Sequence, residues 1–275
     1  MGTPAADFEP RPADTVSYRP DTVADGWSTG ALTVRLASVR GYAHRYAGLP
    51  RQDDAAVVHH PASGAVVFAV ADGVSAAPLA HLGATAACRA TTAAVMDALD
   101  AGTTVDWPTV VEHAAWQVVE QTAAALDLDG PDPGRAEEQM ATALIAGVVR
   151  PVGDAVDVAV VRVGDSQALV LRDGRYRYLF DPKVATIAES AVIALPRVPD
   201  LVLRGGPLVP GEVLLVGTDG FGDPLGDGTG QVGAHFAARL AQPRPPVAFA
   251  HDLDFSRETF DDDRTLLAIW PRQMS

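Results

Sequence analysis

The sequence predicts an α+β fold in which antiparallel sheets carry helices on their outer faces. Three features favour this class. Apolar segments on either side of Pro61-Ala62-Ser63-Gly64 are typical of a β-hairpin. Two segments with helical spacing follow, and a block rich in strands comes after them. The 275 residues suffice for one large domain or two small ones, with a substantial core.

The first part of the chain changes from irregular to strand-like. Residues 1–28 are rich in Pro, Asp, Ala and Thr and show little periodicity, so we expect a flexible tail there. Residues 31–38 alternate well enough for a first strand, and residues 41–50 are predicted to form a loop bounded by glycine and proline. The hairpin is expected to consist of strands at 55–60 and 65–71.

Two helices are expected next. Residues 78–99 are alanine-rich with helical spacing. Residues 107–126 repeat apolar side chains on one face, and Pro108 suits the first turn of that helix. Residues 127–139 are polar and contain proline and glycine, which predicts a loop.

The second half of the chain combines strands with short helices. Arg172-Asp173-Gly174-Arg175 is typical of a tight hairpin turn, and several prolines predict an irregular segment at 182–209. Strands are expected at 141–149, 156–163, 167–171, 176–180, 213–216 and 266–270. Short helices are expected at 231–240 and 246–253.

Composition argues against several function classes. A net charge of −14 disfavours binding to nucleic acid or to anionic membranes. Cys88 is the only cysteine, which excludes a disulfide within the chain and a cysteine-based metal site. No segment has the pattern of a signal peptide, and no apolar run approaches the roughly 20 residues of a membrane span. We therefore expect a cytoplasmic protein, and we expect a monomer.

Carboxylates at strand ends are the main functional signal. Residues 66–75 form an apolar run that ends in Asp72-Gly73, and residues 213–221 repeat the arrangement with Asp219-Gly220. An Asp-Gly pair after a strand is commonly only a turn. Two further acidic clusters, at 52–54 and 261–263, precede apolar strands. Four such sites predict a converging metal centre with oxygen ligands only, which suits magnesium or manganese.

Short motifs follow one another along the chain in this order: Gly41, His44, Gly48, Pro50, Gln52 and Asp53; Phe68-Ala69-Val70-Ala71-Asp72-Gly73-Val74; Met140-Ala141-Thr142-Ala143; Val163-Gly164-Asp165-Ser166-Gln167; Thr218-Asp219-Gly220-Phe221; and Asp262-Asp263-Arg264-Thr265. Their order resembles that of the metal-dependent type 2C family of protein serine/threonine phosphatases, in its bacterial form. Each motif alone is a weak signal, whereas their common order is a strong one. The resemblance implies an antiparallel β-sandwich flanked by helices, in four layers α-β-β-α, with one phosphatase-like catalytic domain over residues 29–275.

The resemblance also implies a centre of two divalent cations, Mn²⁺ or Mg²⁺, with a third as an option. The implied metal ligands are Asp53, Asp72, Gly73 through its carbonyl oxygen, Asp219 and Asp262. Asp72 would bridge the two cations. Because Asp54 follows Asp53 and Asp263 follows Asp262, the choice of ligand within each pair stays open. A third cation would be held near Glu137 or Glu138.

The candidate catalytic residues are Asp72, Arg45 and His44. The resemblance implies an arginine that binds the substrate phosphate, and Arg45 and Arg51 are both candidates; in the alternative, Arg51 is a solvated loop charge. His44 is either a proton donor to the leaving group or a loop histidine that hydrogen-bonds the backbone. Asp165 is expected to fix a turn rather than to bind metal.

The expected reaction is metal-dependent hydrolysis of phosphoserine and phosphothreonine in a phosphorylated protein substrate. Two divalent cations about 3.5–4 Å apart lower the pKa of a bridging water, so no protein nucleophile is needed. Two alternatives stay open. One is a phosphatase-like binding module with impaired catalysis, because Ser75-Ala76-Ala77 replaces the glycine pair usual in the family. The other is a phosphatase that acts on a small phosphorylated metabolite.

Overall fold

The structure is a computed structural model that describes residues 9–13, 19–153, 155–181, 193–255 and 259–272. The strands in these ranges are β1 (Thr22–Ser28), β2 (Leu32–Val39), β3 (Asp54–His60), β4 (Ala65–Gly73), β5 (Thr142–Val152), β6 (Ala155–Val163), β7 (Gln167–Arg172), β8 (Arg175–Tyr178), β9 (Arg204–Leu208), β10 (Val213–Gly217) and β11 (Arg264–Pro271). The helices are α1 (Tyr42–Ala47), α2 (Ala80–Asp100), α3 (Trp107–Ala125), α4 (Pro133–Met140), α5 (Asp219–Leu225), α6 (Gln231–Leu240) and α7 (Pro246–Leu253).

The strands form two sheets that pack face to face. One sheet has six strands in the order β1-β2-β11-β10-β7-β8, and the other has five in the order β3-β4-β5-β6-β9. The strand pairings in both sheets are antiparallel. The predicted fold class, an antiparallel β-sandwich flanked by helices, is confirmed.

Alternation along β4 divides its side chains between two cores. Phe68 and Val70 point into the interior of the sandwich, where they pack with residues of β10 and β11. Val67 and Ala69 point to the opposite face, where α2 and α3 cover the sheet. The outer face of the six-stranded sheet packs against α5, α6 and α7 through buried residues such as Phe236. The result is the four-layer order α-β-β-α.

The strand β1 lies where the sequence analysis predicts a flexible tail. It pairs with β2 along its whole length, so the tail prediction for residues 1–28 is wrong over this strand. Its side chains are exposed or half-buried, which removes the apolar alternation that would reveal a strand. At Gly26 a side chain would collide with Arg35 and Pro246. The strand β1 is therefore part of the six-stranded sheet, and the domain bounds 29–275 stay a prediction.

Three short helices lie in segments predicted as loops or left unassigned: α1, α4 and α5. The sequence did signal α4, because Asp132 accepts a hydrogen bond from the backbone N–H of Arg135 at 3.0 Å and Pro133 occupies the first turn. The six-residue helix α1 has no side-chain cap. It is held instead by the loop before β11, where Ala43 donates its N–H to the carbonyl of Asp261 at 3.0 Å. None of the helices in the described ranges is both long and apolar enough to cross a bilayer.

The strand β9 ends the segment that the sequence predicts to be irregular, residues 182–209. It pairs with β6 through Gly205, Gly206 and Pro207, which are poor strand formers, so propensity gave no sign of it. Residues 182–192 of this segment lie outside those the structure describes.

We expect Phe68→Ala to lower the free energy of unfolding by about 3–5 kcal/mol, because a fully buried ring between the sheets would leave a cavity. Urea unfolding followed by circular dichroism measures the change. Val247→Ala is the matched control, since Val247 is 78% exposed and its truncation should cost little. Equal losses in the two variants would contradict the assignment of Phe68 to the sandwich core.

Candidate metal centre

The predicted metal ligands lie at one end of the sandwich, where strands of both sheets begin or end. In the five-stranded sheet β3 begins after Asp53 and β4 ends just after Asp72. In the six-stranded sheet β10 ends before Asp219 and β11 begins after Asp262. Because neighbouring strands are antiparallel, the end of one lies beside the start of the next. One carboxylate oxygen from each of Asp72, Asp165 and Asp219 lies within 4.8 Å of the others.

Asp53 is the buried centre of a hydrogen-bond network. Its Oδ2 atom accepts hydrogen bonds from the hydroxyls of Thr218 at 2.9 Å and Thr265 at 2.7 Å. The Thr265 hydroxyl is also 2.6 Å from the hydroxyl of Ser38. These threonines each stand inside a matching motif, but nothing in the local sequence indicated that they bond to Asp53. Because Oδ2 takes both hydroxyls, Oδ1 is the Asp53 oxygen that we expect to bind a cation.

The adjacent residues Asp262 and Asp263 have different environments. Asp263 is buried, and its carboxylate accepts hydrogen bonds from the N–H groups of Gly41 at 2.6 Å and Gln52 at 2.5 Å. Burial alone would raise the pKa of Asp263, but its hydrogen bond and ion pair with His44 and these N–H groups hold the pKa below its usual value. The Asp263 carboxylate is thus bonded within the protein, although its charge also raises the pKa of Asp53. Asp262 is half-buried, and its charge raises the pKa values of Asp72 and Asp219. Side-chain atoms of His44, Asp262 and Asp263 lie within 4.8 Å of one another and form a second group that could hold a cation.

Burial and mutual repulsion disfavour the charged carboxylates of the centre. Burial, followed by the charges of Asp53, Asp219 and Asp262, raises the pKa of Asp72 well above its usual value. Burial, followed by the charges of Asp165 and Asp262, raises the pKa of Asp219 to about 6. A bound divalent cation would offset both effects, and carboxylates are the donors that magnesium and manganese prefer. The residues present therefore fit a hard divalent cation.

Glycines let the backbones of these motifs touch. A Cβ atom on Gly220 would collide with the carbonyl of Asp263, and one on Gly41 would collide with the backbone of Asp262. A Cβ atom on Gly73 would lie 2.9 Å from the carbonyl oxygen of Gln52, the residue before Asp53. Close backbone contact thus sets the spacing between the carboxylates.

His44 lies on α1 and is buried, with its Nδ1 atom 2.9 Å from Oδ1 of Asp263. Burial lowers the pKa of His44, but the hydrogen bond and the charge of Asp263 outweigh it and raise the pKa above its usual value. The alternative of a loop histidine bonded only to backbone is wrong, because His44 is helical and its partner is a carboxylate.

The two candidate phosphate-binding arginines are both engaged with other groups. Arg45 places Nη1 3.2 Å from the carboxylate of Asp254. Arg51 is 3% exposed, so its interpretation as a solvated loop charge is wrong. Its Nη1 atom donates to the hydroxyl of Ser38 at 2.5 Å and to the carbonyl of Asp53 at 2.6 Å. The Arg51 guanidinium is thus bonded within the protein interior. Arg45 stays a predicted phosphate ligand.

The two glutamates proposed for a third cation are each paired with an arginine. Glu137 lies 3.1 Å from Arg197, and Glu138 lies 2.8 Å from Arg135. Instead, the carboxylate of Asp165 lies close to those of Asp72 and Asp219. The sequence predicts that Asp165 fixes a turn, yet it lies two residues after the end of β6 and so shares the strand-end position of the predicted ligands.

A family model of Protein phosphatase 2C matches residues 40–253, well over half of the chain. The chain belongs to the protein phosphatase 2C family. It is thus a metal-dependent protein serine/threonine phosphatase. A comparison with curated protein sequences finds no significant match.

Solved structures resemble this phosphatase in fold at low sequence identity. The Mycobacterium tuberculosis serine/threonine phosphatase PstP/Ppp is 18% identical, with a TM-score of 0.55 over 87% of this chain and 98% of that one. RsbX in complex with magnesium is 11% identical, with a TM-score of 0.56 over 91% and 100%. The catalytic domain of PstP with 2 manganese ions is 19% identical, with a TM-score of 0.56 over 88% and 98%. Magnesium and manganese are also the cations that the acidic centre of this phosphatase fits.

We expect Asp262→Asn and Asp263→Asn to affect different properties of the phosphatase. Asp262→Asn should weaken manganese binding with little loss of stability, because Asp262 is only half-buried and its charge acts on Asp72 and Asp219. Asp263→Asn should lower the free energy of unfolding by about 3 kcal/mol, because it breaks a buried pair with His44. Calorimetric titration with Mn²⁺ and urea unfolding in EDTA measure the two effects. The opposite pattern would shift the metal ligand by one residue, to Asp263.

Asp219→Asn should stabilise the metal-free phosphatase near neutral pH. The pKa of Asp219 is raised to about 6, so its contribution to stability is complete below the unfolded value of 3.8 and is lost as the pH rises through 6. In EDTA at about pH 7.5 the variant should melt a few degrees above wild type, and at about pH 3.5 the difference should vanish. Saturating Mn²⁺ should reverse the order, since only wild type gains the full binding energy. A variant that melts below wild type in EDTA at neutral pH would contradict the expected repulsion.

Proposed function

We propose that the protein hydrolyses phosphoserine and phosphothreonine in phosphorylated proteins through a water molecule bound by two divalent cations. The observation that carries this proposal is that Asp53, Asp72, Asp219 and Asp262 lie at strand ends of the two sheets, where the charges of the other three act on Asp72. Burial and repulsion leave these carboxylates poorly stabilised without a cation. A structural turn or cap would not need so many buried acids in one place.

The proposed metal ligands are Asp53, Asp72, Gly73 through its carbonyl oxygen, Asp219 and Asp262. Asp72 is the proposed bridging ligand, because it lies between the two sheets and its Oδ2 atom is 3.4 Å from the backbone N–H of Asp219. Thr142 fixes the backbone at this point by donating its hydroxyl to the carbonyl of Asp72 at 2.9 Å. When bound, two divalent cations lower the pKa of a shared water and neutralise the phosphoryl oxygens.

His44 and Arg45 are the proposed catalytic side chains besides Asp72. Asp263 holds Nδ1 of His44, so Nε2 is the atom that we propose as proton donor to the leaving hydroxyl. The ion pair between Nδ1 of His44 and Asp263 favours the protonated imidazole. Arg45 is proposed to bind the substrate phosphate, which requires its ion pair with Asp254 to open.

A second candidate function is a binding module that holds a phosphorylated partner without turnover. One observation favours it: the two arginines expected to bind phosphate are both engaged, Arg45 with Asp254 and Arg51 with Ser38 and the Asp53 carbonyl. The first proposal is better supported, because the full set of metal carboxylates is present at the sandwich edge.

We expect hydrolysis of p-nitrophenyl phosphate and of a phosphothreonine peptide to require Mg²⁺ or Mn²⁺ and to cease in EDTA. Asp72→Asn should lower kcat by more than about 100-fold, since loss of a metal ligand exceeds the effect of its outer partners. Asp157→Asn is the matched control, because Asp157 is an exposed aspartate on β6.

Equal activity of Asp72→Asn and wild type would refute the proposed centre. A wild-type protein that binds metal and phosphopeptide but hydrolyses neither substrate would favour the binding module. Hydrolysis of p-nitrophenyl phosphate without any of the peptide would point to a small phosphorylated metabolite.

A further inference from the structure

Arg19 lies outside the residues that the family model matches, and its side chain contacts the backbone next to Asp53. Arg19 lies before β1, in a part of the chain that precedes the matched residues 40–253. Its side chain is only 14% exposed. The sequence analysis placed it in the flexible tail, and it has no role in the function proposed above.

The guanidinium of Arg19 uses all of its nitrogens. Nε donates to the carbonyl of Arg51 at 2.5 Å, and Nη2 donates to the carbonyl of Asp53 at 2.6 Å. Nη1 donates to the hydroxyl of Thr85 on α2 at 3.1 Å, and Nη2 forms an ion pair with Asp54 at 3.5 Å. The side chain thus joins the backbone on both sides of Gln52 to the helix that packs on the five-stranded sheet.

A second buried arginine binds the same carbonyl. Nη1 of Arg51 donates to the Asp53 carbonyl at 2.6 Å, so two guanidinium groups hold one backbone oxygen. Placing two cations around one oxygen is unfavourable unless their charges are balanced, and Asp54 balances that of Arg19. The arrangement restrains the backbone of Asp53 more strongly than an ordinary turn would.

The restrained backbone carries a side chain of the metal centre. The carboxylate of Asp53 is fixed at its other end by Thr218 and Thr265. We propose that Arg19 is a positioning residue of the metal centre, which holds the backbone of Asp53 so that its free carboxylate oxygen faces the cations. This inference rests on the proposed function for the identity of the metal ligands.

Positioning and electrostatics predict opposite effects of removing Arg19. A positive charge near a cation site would repel the metal, so a purely electrostatic role predicts tighter binding without it. A positioning role predicts weaker binding, because loss of an outer partner of a metal ligand typically lowers metal affinity about 10–100-fold. Lysine keeps the charge but lacks the planar fork of donors, so Arg19→Lys separates the two effects.

The test is calorimetric titration of the metal-free full-length protein with Mn²⁺. We expect Arg19→Ala to raise the dissociation constant at least about 10-fold and Arg19→Lys to raise it less. At saturating Mn²⁺ both variants should regain a kcat close to that of wild type, with an unchanged KM for p-nitrophenyl phosphate. Arg11→Ala is the matched control, because Arg11 lies in the same N-terminal segment but stacks on Tyr46 and should leave metal affinity unchanged.

Several results would overturn the inference. A folded Arg19→Ala protein that melts earlier in EDTA but binds Mn²⁺ as tightly as wild type would make Arg19 merely structural. Tighter binding in Arg19→Ala would make its role electrostatic. If Arg19→Ala does not fold, Arg19→Lys decides alone, and an unchanged dissociation constant rejects the positioning role. A wild-type protein that takes up no metal would instead refute the proposed function, and the inference with it.

Discussion

A single buried carboxylate oxygen, Oδ2 of Asp53, ties the two sheets together at the end where the metal ligands lie. Asp53 precedes β3 in the five-stranded sheet, whereas its partners Thr218 and Thr265 belong to the ends of β10 and β11 in the six-stranded sheet. Apolar packing sets the distance between two sheets but is non-directional, so it does not fix how one lies over the other. The two directional hydrogen bonds, together with the backbone contacts at Gly41, Gly73 and Gly220, fix the relative positions of the proposed metal carboxylates.

The same end of the sandwich holds several aspartates whose charged forms are disfavoured in the folded protein. Burial and repulsion raise the pKa values of Asp72, Asp219 and Asp262, whereas His44 keeps Asp263 ionised. Hydrogen bonds to protein donors do not by themselves remove this penalty, because Asp53 accepts two hydroxyls and its pKa is still raised. A cation bound to these carboxylates would offset the penalty, so stability and metal affinity should be coupled.

The four-layer sandwich and the set of metal ligands were implied by the family resemblance. Local sequence pattern by itself predicted antiparallel sheets with helices outside and acidic residues at strand ends, because apolar runs and their ends are local properties. The strands β4 and β10, with Asp72 and Asp219 at their ends, followed from that pattern. The strand β1 and the buried state of Arg51 did not, because each depends on partners distant in the chain. Arg51 resembles a loop charge in sequence, and only the carbonyl of Asp53 and the hydroxyl of Ser38 explain its burial.

The backbone contacts at Gly41 and Gly220 have a consequence for natural variation. Neither glycine offers a side chain to metal or substrate, yet any Cβ atom there would collide with the chain at Asp262 or Asp263. A variant at either position would push apart the segments whose spacing defines the centre. The set of positions at which a single substitution should disturb the centre is thus larger than the proposed set of ligands. A related sequence can keep every carboxylate and still lack the spacing that the proposed centre needs.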